Sequence, residues 1–262
     1  MFDYFGYGSN MDSVAIRAKG VDPVTSQRGM IKGWKLGFNV AHFFRHEGGV
    51  ANIVRTGNPD DCVHGVVHRC EDEDLVKLDT AEAFGFGYDR IEVTVKTESD
   101  DRKAIAYVGL PDFIDDRCRP SQRYLNILVN GAKGVALDQD YIQALERTGV
   151  HNKCDYPEYI FPDFPEVTFT GRELSARPDL TALAGAVFDM SNAREAHDYV
   201  RKWFGGRDMT LFHLKRMDSS NGKETIEDIK GGRLSSAQRS YLNEYLNEYA
   251  AEYAFAGRFL YD

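Results

Sequence analysis

The chain has 262 residues, of which 42% are hydrophobic and 28% charged, and its formal net charge is -9. Its apolar content is enough for one large core or two small ones. Its acidic balance argues against a nucleic-acid partner, because the sequence has no block of Lys and Arg to displace phosphate counterions. No stretch approaches the roughly 20 apolar residues of a membrane helix, and Met1–Phe5 lacks the basic start of a signal peptide, so we predict a cytoplasmic protein without a membrane partner.

Short strands dominate the first half of the chain. They are rich in Val, Ile, Phe and Tyr and are separated by Gly, Asp or Asn: Phe2–Tyr7, Gly33–Val40, Gly49–Arg55, Cys62–Arg69, Tyr88–Thr97 and Ala104–Gly109. Helices are predicted over Glu71–Leu78, after an N-cap at Ser121, and from Asp138 to Gly149. Because strands come first and helices later, we expect an α+β unit with a largely strand-built core.

Proline divides the chain. Four of the 8 prolines fall between Asp155 and Asp179, where we expect extended, irregular backbone. We therefore predict a first domain over 1–150, a Pro-rich connection over 151–180 and a smaller α+β unit over 181–262. In that unit the patterns predict strands over Ala184–Met190 and Met209–Arg216, a helix that ends at Gly205, and a long helix after the capping box that begins at Ser235. The aromatic stripe of the long helix indicates packing rather than a ligand site.

Cysteine and histidine spacing gives no metal or disulfide pattern. The 4 cysteines lie far apart and form no C-x-x-C pair. His64 and His68 fall in a predicted strand, where residues four apart stand about 13 Å from each other, too far to share a metal ion. We expect no metal site.

A glycine-containing loop follows the first strand. Tyr7-Gly8-Ser9-Asn10 exposes consecutive backbone N–H groups that can hold an anion or a developing oxyanion. An ordinary glycine turn is the alternative for the loop alone. Gly6-x-Gly8 lacks the third glycine of a dinucleotide fingerprint and the lysine of a phosphate loop, so nucleotide binding is poorly supported.

Glu82 follows the short predicted helix and lies in a run of small and aromatic residues. A carboxyl group screened from water by such a run is suited to proton transfer. The alternative is a solvated glutamate at a helix end. Tyr88 and Tyr124 are further candidates for the site. The alternative for Tyr88 is ordinary packing in a strand, and the alternative for Tyr124 is ordinary packing in a helix.

Taken together, residues 1–150 resemble the γ-glutamylcyclotransferase family, also called AIG2-like. Five landmarks occur in the family's order: Tyr7-Gly8-Ser9-Asn10, Gly48-Gly49-Val50-Ala51-Asn52-Ile53, His64-Gly65-Val66-Val67-His68, Leu78-Asp79 with Glu82 and Tyr88, and Pro120-Ser121-Gln122-Arg123-Tyr124 with Gly131-Ala132. The resemblance implies a small mixed β-barrel with flanking helices. It does not extend into residues 170–262. One departure is Ala83, where the family usually has glycine after its catalytic glutamate.

The resemblance also implies a reaction, the cyclisation of a γ-glutamyl amino acid or amine to 5-oxoproline with release of the amine. Glu82 would be the general acid and base, the backbone at Gly8, Ser9 and Asn10 would hold an oxyanion or the α-carboxylate, and Tyr7, Tyr88 and Tyr124 would complete the substrate site. No cofactor is needed, and the partner is a small γ-glutamyl substrate.

The sequence leaves three questions open. The first is the leaving amine, whose pocket we expect from loops such as Ala41–Glu47. The second is whether the chain forms a homodimer. The third is whether it is instead a ligand-binding or protein-interaction module that kept the barrel and lost the chemistry, an alternative that the extra C-terminal unit and Ala83 favour slightly.

Overall fold

The computed structural model describes residues 1–261, which form two compact units. The first unit contains Met1–His42 and Glu47–Asn152. The second unit contains Phe43–His46 and the described residues from Lys153 onwards. The segment predicted as a connection, 151–180, therefore falls almost entirely in the second unit.

The first unit is built on a closed five-stranded barrel. The strands of the whole first unit are β1 (Phe2–Gly6), β2 (Thr25–Lys32), β3 (Trp34–Ala41), β4 (Gly49–Arg55), β5 (Cys62–Cys70), β6 (Tyr88–Thr97) and β7 (Asp101–Gly109). The barrel order is β1-β5-β2-β6-β7, and a parallel pairing between Tyr4 of β1 and Ile105 of β7 closes it. Strands β3 and β4 form a separate antiparallel pair. The predicted α+β barrel is confirmed.

Four helices flank these strands: α1 (Ser13–Ala18), α2 (Asp74–Ala81), α3 (Gln122–Gly134) and α4 (Gln139–Glu146). The apolar face of α3 places Leu125, Leu128 and Ala132 in the same core as Phe5 and Val66 of the barrel. Because α3 is pinned by this burial, the side chains of its first turn have fixed positions relative to β1.

The sequence patterns missed α1 and β2. Helix α1 has a clear start, since the Asp12 carboxylate accepts hydrogen bonds from Val14 N and Ala15 N at 2.8 and 2.9 Å. Strand β2 is largely polar, and it is held by pairing with β5 along its whole length, from Thr25 opposite Arg69 to Lys32 opposite Cys62. Its partners, rather than its own composition, define it as a strand.

The second unit has one five-stranded sheet in the order β11-β9-β10-β12-β8. Its strands are β8 (Thr168–Phe169), β9 (Leu180–Leu183), β10 (Ala186–Asp189), β11 (Arg207–Asp208) and β12 (Ala254–Phe259). Its helices are α5 (Gly171–Ser175), α6 (Asp198–Phe204), α7 (Thr210–Lys215), α8 (Ile226–Lys230) and α9 (Ser236–Glu252). Phe44 is buried in this unit's core and stacks on Tyr249 of α9, with ring centroids 5.1 Å apart.

Two predictions for the second half of the chain are wrong. The predicted strand Met209–Arg216 is helix α7, because its buried residues Thr210, His213 and Leu214 have helical spacing rather than alternation. The stretch 155–179 is not irregular throughout, since it contains β8 and α5, and α5 begins with a capping box between Thr170 and Glu173. The capping box at Ser235 and the helix after it are present as predicted.

Across residues 1–261, no helix combines the length and the apolar character that crossing a bilayer requires.

Candidate active site

The loop after β1 and the residue after α2 meet at one pocket of the first unit. The pocket is narrow: its cavity volume is about 30 Å³, well below the roughly 300–1,000 Å³ of small-molecule sites. Its lining residues are Tyr4, Tyr7, Gly8, Ser9, Asn10, Ala51, Glu82, Tyr88, Tyr107 and Tyr124. The structure thus brings together Glu82, the Tyr7–Asn10 loop, Tyr88 and Tyr124, as predicted, whereas no residue of the Ala41–Glu47 loop lines this pocket.

Glu82 lies at the C-terminal end of α2, and only 15% of its side chain is exposed. Its Oε1 atom accepts a hydrogen bond of 2.9 Å from the Asn10 side-chain amide. The Lys19 ammonium lies 2.7 Å from the same oxygen. The amide nitrogen of Asn10 also donates to the Tyr4 hydroxyl at 2.6 Å. Asn10 therefore joins the loop to Glu82 through its side chain, whereas the sequence interpretation used mainly its backbone.

Tyr88 and Tyr124 are both held by the backbone of Ala51 in β4. The Tyr88 hydroxyl donates to the Ala51 carbonyl at 2.9 Å, and the Tyr124 hydroxyl accepts from the Ala51 N–H at 3.1 Å. Gly8 packs closely against this arrangement, since an added Cβ would lie 3.1 Å from Ala51 Cβ and 3.2 Å from the Tyr124 hydroxyl. A close approach, rather than an unusual φ, therefore favours glycine at this position of the loop.

The phenols around Glu82 are neutral at physiological pH. Burial, and after it the negative charge of Glu82, raises the pKa values of Tyr4 and Tyr7 well above 10. Burial also raises the pKa of Tyr88, and burial together with the hydrogen bond to Asp79 raises that of Tyr107. These groups therefore act as neutral hydrogen-bonding groups, and the charge balance next to the carboxylate depends on Lys19.

His68 of β5 supports the loop from behind. Its Nε2 lies 2.8 Å from the Asn10 carbonyl and its Nδ1 lies 2.8 Å from the Ser26 hydroxyl. Because a carbonyl only accepts, the neutral ring carries its proton on Nε2 and accepts from Ser26 through Nδ1. Burial lowers the pKa of His68 to about 4. A neutral imidazole thus fixes the backbone of Asn10.

The His68 pKa predicts a loss of stability in acid. Between about pH 6.5 and pH 4 the unfolded chain binds a proton at this histidine that the folded chain does not, so stability falls as the pH falls. The full difference is about 3 kcal/mol. We expect His68→Gln to lose less stability than the parent between pH 7 and pH 4.5 in urea unfolding. A Trp203→Phe background leaves Trp34 to report on the first unit, and identical pH dependence in both chains would contradict the prediction.

The first turn of α3 is anchored by Glu47, which is 1% exposed. The Glu47 carboxylate lies 2.6 Å from an Arg123 guanidinium nitrogen and accepts from the Ser121 hydroxyl at 3.0 Å. Ser121 also caps α3 by accepting from the N–H of Tyr124 at 3.1 Å. This buried ion pair therefore positions the helix start that carries Tyr124.

Ala83 has a left-handed conformation, with φ of 51°. This backbone region favours glycine, because a Cβ is strained there. Ala83 is buried in this conformation. The backbone after Glu82 is therefore of the kind that the glycine implied by the family resemblance would adopt without strain.

Sequence reasoning did not predict four residues at or next to this site: Tyr4, Lys19, Ala51 and Tyr107. It also did not predict Glu47, which anchors the start of α3. Tyr107 carried a visible signal, as a tyrosine inside an otherwise apolar strand. Lys19 carried none, because its partner Glu82 is 63 residues away in the chain. Within residues 1–261, no cluster of three or more His, Cys, Asp or Glu side chains has the arrangement of a metal site.

Known proteins resemble the part of the chain that contains this pocket. A model described as the AIG2-like family matches residues 62–145. The γ-glutamylcyclotransferase of Bos taurus is 30% identical over 148 residues, which cover 55% of this chain and 77% of that protein. The γ-glutamyl cyclotransferase gliK of Claviceps purpurea (strain 20.1) is 29% identical over 148 residues, or 53% of this chain and 66% of that protein.

Solved structures agree. A γ-glutamyl cyclotransferase is 26% identical with a TM-score of 0.53, and an uncharacterized protein from Homo sapiens is 27% identical with a TM-score of 0.52. Both alignments cover 59% of this chain and 92% of the other chain. Barrel and pocket thus define a protein of the AIG2-like class. More specifically, the chain belongs to the γ-glutamylcyclotransferase family.

Proposed function

We propose that the protein cyclises a γ-glutamyl amino acid or γ-glutamylamine to 5-oxoproline and releases the amine, with Glu82 as general acid and base. The observation that carries this proposal is the position of Glu82. It is a largely buried carboxylate, bonded to Asn10, inside a pocket lined by the Tyr7–Asn10 loop. Membership of the γ-glutamylcyclotransferase family supports it.

The reaction needs no second substrate. The α-ammonium of the glutamyl group gives a proton to Glu82, and the resulting amine attacks the γ-carbonyl carbon of the same molecule. Attack opens the carbonyl to an oxyanion, and when the carbonyl re-forms the C–N bond to the leaving amine breaks and Glu82 returns the proton to that nitrogen. The α-nitrogen loses its second proton to the released amine through Glu82, so the products are the lactam with one N–H and the ammonium form of the amine. Because attack is intramolecular, the pocket must mainly hold the substrate in a folded shape, and one carboxyl group serves both proton transfers.

The loop after β1 is suited to hold the negative charge that develops on the γ-oxygen. Residues Ser9–Met11 form one 3₁₀ turn, and Met11 N donates to the Gly8 carbonyl at 3.0 Å. The N–H groups at the start of such a turn have no partner inside it. In our proposal they bind the oxyanion or the substrate α-carboxylate, while Tyr88 and Tyr124 shape the wall opposite.

Glutathione, other γ-glutamyl amino acids and γ-glutamylamines remain candidate substrates. A binding module without turnover is the second candidate. The sequence favoured it slightly because alanine replaces the usual glycine at position 83, but Ala83 has the left-handed backbone that suits glycine, which weakens that argument. In either case we expect the ligand to carry a γ-glutamyl group.

The test is a panel of γ-glutamyl compounds incubated with the full chain. We expect 5-oxoproline and the free amine to appear in equal amounts from at least one compound, as followed by mass spectrometry. Saturable binding of a compound without 5-oxoproline would support the binding module. Neither binding nor turnover of any γ-glutamyl compound would overturn the proposal.

A further inference from the structure

Lys19 is the least expected neighbour of Glu82, because lysine is rarely buried without a functional or structural partner. Only 7% of its side chain is exposed, and its ammonium lies 2.7 Å from Glu82 Oε1. It follows α1, the helix that begins immediately after the Tyr7–Asn10 loop. One short stretch of chain therefore carries both the loop and a cation for the carboxylate.

Two helix ends meet at this ion pair. Lys19 is the C-cap residue of α1 and Glu82 is the C-cap residue of α2. The next residue, Gly20, has φ of 80°, and an added Cβ there would lie 3.7 Å from Lys77 Cδ of α2. The chain just after α1 therefore passes beside α2, and Ile16 of α1 shares a buried cluster with Leu78 of α2.

The two oxygens of Glu82 are not equivalent. Asn10 and Lys19 both donate to Oε1, at 2.9 and 2.7 Å. Among residues 1–261, no side chain or backbone group donates to Oε2. An oxygen that already accepts two hydrogen bonds, one from a cation, is a poor proton acceptor, whereas the other oxygen keeps its lone pairs available.

We propose that Lys19 is a positioning residue for the proposed cyclisation: it fixes Glu82 through Oε1 and leaves Oε2 as the atom that carries the proton between the two substrate nitrogens. This inference rests on the proposed function. Lys19 itself does not touch the substrate in this scheme. It sets the direction of the carboxylate and balances its charge in a pocket where water is largely excluded.

The groups that face Glu82 leave this role to Lys19. Tyr4, Tyr7, Tyr88 and Tyr107 are neutral phenols, and Asn10 is a neutral amide. Asp79, behind Tyr107, is a second carboxylate and pairs with Arg90 at 3.5 Å. Removing the ammonium therefore leaves Glu82 facing neutral groups and the paired charges of Asp79 and Arg90, so none of these groups takes over the charge of Lys19.

Lys19→Met removes the ammonium at similar side-chain length. We expect kcat to fall about 10²-fold, the loss that a misplaced catalytic group typically causes. We also expect the acid limb of the kcat/KM profile to move to higher pH. Lys19→Arg, which keeps the charge, should restore the position of the limb. Lys103→Met is the matched control, because it removes an exposed lysine that pairs with the exposed Glu92 on the barrel surface, and it should leave rate and profile unchanged.

A second readout does not depend on turnover. In a crystal structure of Lys19→Met the Glu82 carboxylate should leave its parental position, so that Oε1 no longer lies 2.9 Å from the Asn10 amide, whereas in Lys19→Arg it should stay there. If Lys19→Met does not fold, Lys19→Gln carries the same comparison. An unchanged acid limb and an unchanged carboxylate position would overturn the inference. If the parent releases no 5-oxoproline, the proposed function fails, and a displaced carboxylate would then mark Lys19 as a structural partner only.

Discussion

Replacing Glu82 by Gln should reduce 5-oxoproline release by about 10²–10⁴-fold, the usual contribution of a general acid and base. Glutamine cannot take the proton from the substrate ammonium or return it to the leaving nitrogen. It still offers an oxygen to Asn10 and Lys19, so we expect the fold to survive with a loss of about 1–2 kcal/mol. The measurement is steady-state release of 5-oxoproline, together with the far-UV circular dichroism of both proteins.

The matched control is Glu73→Gln. Glu73 precedes the same helix, is exposed, and makes no capping hydrogen bond through its side chain. It should turn over at the parental rate. Turnover by Glu82→Gln near that of this control would remove Glu82 from the mechanism, whatever the state of the fold.

The second large effect should follow from Glu47→Met, and it should appear first in stability. The Glu47 carboxylate lies 2.6 Å from Arg123, and the two side chains are 1% and 14% exposed. Breaking a buried pair from one side costs about 3–5 kcal/mol, because the remaining charge keeps its desolvation penalty. We expect that loss in urea unfolding of the first unit, reported by Trp34 in a Trp203→Phe background.

The same variant should also lose activity, because Ser121 and Arg123 fix the turn that carries Tyr124. Glu47→Gln, which retains an acceptor for Ser121, should fall between parent and Glu47→Met in both measurements. Glu92→Met is the control, since Glu92 pairs with Lys103 on the surface, where the side chains are 64% and 67% exposed, and exposed pairs contribute little. Equal stability of Glu47→Met and this control would contradict the anchoring role.

Local sequence was sufficient where a feature depends on near neighbours. The glycine loop after β1, the Ser121 and Ser235 caps and the helical stripe of α9 follow from turn chemistry and periodicity. Local patterns failed where a strand is defined by its pairing partner, or where a segment is too short for its hydrophobic period to be read. Polar β2 exists because β5 pairs with it, and Met209–Arg216 is too short for period 2 and period 3.6 to be separated by hydrophobicity alone.

The sequence by itself determined the barrel class and the Tyr7–Asn10 loop and made Glu82 the candidate acid and base, because these depend on residue types in a fixed order. Only the tertiary structure decided what surrounds the carboxylate. Barrel closure and the packing of α1 against α2 bring Lys19 to Glu82 across 63 residues, and bring Tyr88 and Tyr124 to the same peptide at Ala51. Such contacts join distant parts of the chain, and no local pattern encodes them.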